Sequence, residues 1–193
     1  LPAKEEDALV TLMMASEQNK KNYLKYIQDF KRSFPHAVDG YAAQARQYAN
    51  KKEFAKAATE METAIQNVHK KDAAHAEYAK IIFHQQLFQP DSKYLAWSLD
   101  KALAEAQKAY EINPLPAYQH QQAQIIYSKG NYQKAYDMFL ALTKTNLRSG
   151  ELFYEAAQAK AQLKANQAEI LSLLDSAVAA CPQPLTPIAA PFV

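Results

Sequence analysis

The segment YAAQARQYANKKEFAKAATEMETA, residues 41–64, reads as two helices joined by a turn. Tyr41, Ala45 and Tyr48 recur at spacings of four and three, which places them on one side of a helix. A polar break follows at Asn50–Glu53, and Phe54, Ala57, Met61 and Ala64 then resume the same spacing. Two antiparallel helices approach closely only where small side chains meet at the crossing, and Ala45 and Ala57 stand at such places. Tyr48, Phe54 and Met61 are left to fill the space toward a neighbouring pair.

The pattern returns in QHQQAQIIYSKGNYQKAYDMFLAL, residues 119–142. Ala123 and Ile126 precede the break Ser128–Asn131, and Tyr132, Ala135, Phe139 and Leu142 follow at the earlier offsets. Gly130 sits where a chain leaving a helix favours the left-handed conformation. One such pair cannot bury its own apolar face, so several must stack.

These residues resemble the tetratricopeptide repeat (TPR) family, whose period is about 34 residues. GNYQKAYDMFLAL (130–142), KEFAKAATEMETA (52–64) and LDKALAEAQKAYEINP (99–114) are similar to that family's turn and second helix. The resemblance implies an all-α fold, a right-handed α-α superhelix, or solenoid, of stacked antiparallel helix pairs. Five pairs fit a single array over 1–193, at 4–37, 38–71, 72–115, 116–150 and 151–184. Residues 185–193 form a tail or the start of a truncated further helix.

The third pair departs from the period. Its first helix continues through Ile81, Ile82 and Phe83 toward Phe88, and the gap before Leu99 is about ten residues longer than the repeat permits. This insertion near 84–98 reads as a lengthened, projecting pair or as a tolerated loop, with Pro90 ending one helix and Asp91 or Ser92 capping the next. The end pairs match less well. Tyr23 and Ile170 stand where a small residue belongs and Gln167 where an aromatic belongs, as in capping repeats.

Composition agrees with helix. The chain has 193 residues, 49% hydrophobic and 22% charged, and its 3 glycines are too few for a turn-rich β protein. A net charge of +2 gives no general field for nucleic acid. No apolar run approaches the ~20 residues of a membrane span. No leader pattern is visible at Leu1, although a processed chain would read the same, and periplasm or cell envelope and cytoplasm both stay open. Cys181 is the only cysteine, which excludes an internal disulfide and reads as structural.

Signatures of catalysis are missing. There is no GxSxG, no phosphate-cradling glycine loop, no HExxH and no paired CxxC. His75 and His84 are nine apart and point to opposite faces of one helix, and His36, His69 and His120 read as structural or surface residues. No metal, cofactor or enzymatic activity is expected. Of the 12 tyrosines, Tyr41, Tyr48, Tyr78, Tyr132 and Tyr154 fall on packing positions.

The resemblance also implies that successive first helices line a concave groove. Rotating about 100° per residue away from the packing positions gives Arg46, Ala49 and Asn50, then Lys80, Phe83 and His84, then His120, Gln124 and Tyr127, then Glu155, Ala159 and Gln162. The candidate partner-binding residues are Arg46, Asn50, Lys80, Phe83, His84, His120, Gln124 and Tyr127. Arg46, Lys80 and His84 suit a carboxylate or acidic peptide. Phe83 and Tyr127 suit flat apolar contact, and Gln124 offers a bidentate amide. Some relatives clamp the carboxylate end of chaperone tails with a lysine and asparagines. The matching places here carry Ala42 and Arg46, Ala76 and Lys80, and His120 and Gln124, so that partner is not expected.

The expected function is a non-catalytic protein–protein interaction scaffold for a peptide or protein segment. The alternatives are a ligand- or carbohydrate-binding module of the bacterial cell envelope, which a closed pocket around Phe83 and Tyr127 would favour, and a regulatory fragment of a longer signalling protein.

Overall fold

The computed structural model describes residues 3–18, 22–88, 97–145 and 149–180. Among them the regular elements are ten α-helices, with no strand. They are α1 (Ala3–Gln18), α2 (Tyr23–Ser33), α3 (Val38–Asn50), α4 (Phe54–Asn67), α5 (Lys71–Phe88), α6 (Leu99–Ile112), α7 (Pro116–Ser128), α8 (Tyr132–Leu142), α9 (Ser149–Gln162) and α10 (Gln167–Ala180). Successive helices pack as five pairs, in the order read from the repeat. The chain divides into two compact units, Leu1–Pro114 and Leu115–Val193.

The predicted crossing residues Ala45, Ala57, Ala123 and Ala135 are all fully buried. Around them in the first unit lie Met61, Tyr78 and Ile82, and in the second Phe139, Leu142 and Leu152. Each such large side chain contributes about 1.5–3 kcal/mol by leaving water. At the start of the first unit Leu12, Ile27, Phe30 and Ala43 form one cluster. Here α2 approaches α3 so closely that a Cβ on Gly40 would lie 2.6 Å from the Lys31 side chain. Tyr154 departs from its predicted packing role and is 52% exposed.

The turns within three pairs share one lock. The Lys52 amide donates to Ala49 O at 2.9 Å and the Glu53 amide to Tyr48 O at 2.9 Å. Gly130 and Asn131 repeat this with Tyr127 O and Ile126 O, at 2.9 and 3.2 Å. Lys164 and Ala165 repeat it with Ala161 O and Lys160 O, both at 3.1 Å. These paired bonds cap the helix end in the Schellman arrangement, which requires a left-handed residue. That residue has φ 61° at Lys52, 82° at Gly130 and 55° at Lys164. The left-handed conformation costs a residue with a Cβ about 1–2 kcal/mol, and glycine's extra chain entropy offsets about half of any relief. Lys164→Gly is therefore expected to raise stability by about 0.5–1 kcal/mol. An unchanged or lower melting midpoint for that variant would count against the lock.

The lengthened third pair is visible in α5, 18 residues long against 13 for α3. Pro90, Asp91 and Ser92 lie outside the described residues. The cap of α6 is Ser98, whose Oγ accepts from the Lys101 amide at 3.2 Å. The tail 185–193 and Cys181 also lie outside the described residues.

Candidate functional site

In the first unit, neighbouring first helices present the predicted polar face. Arg46 on α3 reaches Glu77 on α5 and forms an ion pair with it. Lys80, one turn further along α5, lies 3.7 Å from the same carboxylate. Arg46 and Lys80 nevertheless keep 45% and 53% of their side-chain surface in water, so their charges are reachable. Burial, then Lys80 and Arg46, push the His84 imidazole below its usual pKa, with Glu77 opposing. His84 thus tends to be a neutral hydrogen-bonding ring at neutral pH. Asp39, on the same side of α3, is pushed up by burial and by Glu77, against the pull of Arg46 and Lys70. Asn50 is exposed at the end of α3.

Phe83 requires correction. It is only 8% exposed and packs in the core, with an edge toward the His84 ring at 6.4 Å. The reason is that α5 packs against α3, α4 and α6, so Ile81, Ile82 and Phe83 are all covered. An apolar run covered on several sides leaves no groove-facing position for its third member. Ala49 and Ala159, also placed on the groove by rotation, are buried as well.

In the second unit, His120 and Gln124 of α7 converge on Glu155 of α9. His120 Nε2 lies 2.5 Å from Glu155 Oε2, and Gln124 Nε2 donates to Oε1 at 2.7 Å. The His120 ring meets Phe139 edge-on at 6.0 Å. Glu151, one turn before Glu155, completes a set of three metal-ligand side chains whose donor atoms lie within 4.8 Å of one another. Tyr127 stands apart. It packs edge-on against Tyr132 across the turn, with ring centres 5.2 Å apart, which is an intramolecular contact rather than an open stacking face.

The two faces use one register. Arg46 meets Glu77 and Gln124 meets Glu155, each 31 residues on, from one first helix to the next. The acidic partner Glu77 was missed by reading each helix alone. The spacing itself was available, because a period near 34 residues brings position i of one first helix beside a position one turn earlier in the next.

These pairs build the tetratricopeptide type of helical repeat. Solved structures show the same fold. YrrB, a TPR protein with an unusual peptide-binding site, is 20% identical with a TM-score of 0.57, covering 94% of this chain and 89% of that one. TTC0263, a thermophilic TPR protein in Thermus thermophilus, is 14% identical with a TM-score of 0.68, covering 94% and 93%. MamA AMB-1 is 12% identical with a TM-score of 0.63, covering 92% and 97%. No family model and no curated protein matches the chain. Among the described residues no helix is long and apolar enough to cross a membrane.

Proposed function

We propose that the chain is a non-catalytic scaffold that holds an acidic peptide or protein segment against the α3–α5 face. The observation that carries this is the placement of Arg46 and Lys80, both half in water, around the single carboxylate Glu77. Arg46, Lys80 and Lys70 outnumber Glu77 and Asp39 here, which leaves a local surplus of positive charge, and a carboxylate-bearing partner complements it. His84 and Asn50 add neutral hydrogen-bonding groups beside it, and on the second unit His120 and Gln124 are the matching candidates, Tyr127 being engaged by Tyr132. Phe83 is too deeply packed to serve as a flat apolar platform. The peptide-binding site of YrrB supports a peptide as the class of partner.

The test is fluorescence anisotropy with a labelled extended peptide carrying three glutamates, beside its glutamine counterpart. The acidic peptide is expected to bind more tightly and to weaken with added salt. Arg46→Glu with Lys80→Glu should reduce its affinity tenfold or more, and Glu77→Gln should increase it. Equal affinity for both peptides, or no change in the double reversal, would remove this face from the function.

A further inference from the structure

The first helices of the two units repeat one arrangement with different chemistry. Ala42 corresponds to His120, Arg46 to Gln124, Ala73 to Glu151, Glu77 to Glu155 and Lys80 to Gln158. In the first unit Glu77 is met by two cations, Arg46 and Lys80. In the second both cations have become glutamines, while a second carboxylate and an imidazole have been added. Glu155 is met instead by His120 and Gln124. The start of α9 favours an acid at Glu151 through the helix dipole, but it does not account for the replacement of both cations opposite Glu155.

We propose that His120, Glu151 and Glu155 form a binding site for a first-row divalent transition-metal cation, with the metal replacing the fixed charges of the first unit. One imidazole and two carboxylates are a donor set that such ions accept, leaving positions open for water or a partner's side chain. The three donor atoms already lie within 4.8 Å of one another, and they come from two helices, α7 and α9, that both pack against α8. Tetrahedral coordination at about 2.0–2.2 Å needs donors about 3.4 Å apart, within about 1.4 Å of the widest spacing they have here. Gln124 donates to the second oxygen of Glu155 and fixes its plane, as outer hydrogen bonds do at metal carboxylates. The edge of Phe139 holds the His120 ring in place.

The probe is zinc chloride titrated into the untagged full chain by calorimetry. One saturable site per chain is expected, with affinity falling at least tenfold in Glu151→Gln and in His120→Gln. Glu151 is exposed, so its substitution leaves folding intact, and circular dichroism checks both variants. The exposed, stacked His36 and His69 rings, 4.5 Å apart, provide the control. His36→Gln with His69→Gln is expected to leave the isotherm unchanged. No saturable binding in the parent chain, an isotherm unaltered by Glu151→Gln and His120→Gln, or one abolished by the His36 and His69 changes, would each overturn the site.

Discussion

Trp97→Ala is expected to lower stability by about 3–5 kcal/mol and the melting midpoint by roughly 10 °C or more. Trp97 is fully buried just before α6. It lies against Phe54 at the start of α4, with ring centres 5.5 Å apart, and against Tyr78 of α5 at 5.8 Å. Its backbone carbonyl accepts from Gln86 near the end of α5. The ring thus ties the start of α6 to α4 and α5, and its removal opens a cavity between them. The indole N–H has no partner among the described residues. Trp97→Phe should therefore keep most of the packing and cost only about 1–2 kcal/mol. The measurement is thermal unfolding followed by circular dichroism. A midpoint for Trp97→Ala within about 2 °C of the parent would place the ring outside the core.

The second large effect is at Glu105, which is 1% exposed on α6. Its carboxylate lies 2.6 Å from His75 Nδ1 of α5 and accepts from Lys101 and Lys108 at 2.9 and 3.0 Å. Burial alone pushes this carboxyl up, but the hydrogen bonds from Lys101, His75 and Lys108 together outweigh it and hold the pKa below the ordinary carboxylate range. Because folding depresses the pKa, the stabilisation is present above the unfolded carboxylate value and is lost as pH falls through the folded one. Glu105→Gln is expected to cost about 2–3 kcal/mol at neutral pH, since it removes a charge that the surrounding donors were arranged to meet. Melts of parent and variant should converge as the solution is taken below about pH 4. A gap that stays constant from neutral pH down to about pH 3 would mean that folding does not depress the pKa of this carboxyl.

The alanines at the crossings were legible because the same small residue recurs at the same offset in different pairs. No large side chain fits there, so Ala45, Ala57, Ala123 and Ala135 mark the pairing in sequence as they do in space. Trp97 was not legible, because it follows the insertion and has no counterpart in the repeat. Phe83 was misplaced because helical rotation assumes one covered face, whereas α5 is covered by three helices. Of the polar candidates, Arg46, Lys80 and His84 do share one neighbourhood in the first unit, and His120 and Gln124 share one in the second. What held each set together was a glutamate on the following first helix. Glu77 in particular was invisible to any reading confined to one helix.

The three left-handed turns bear on how the chain acquires its structure. Each lock closes over six residues, as from Tyr48 to Glu53, so a helix hairpin loses little chain entropy when its two arms meet. Contacts between neighbours in sequence then form before any distant ones are needed, a topology associated with rapid folding. A hairpin whose turn is complete has all the information it requires to pair. As synthesis proceeds from the N-terminus, each new hairpin within a unit finds the preceding one already available as a template.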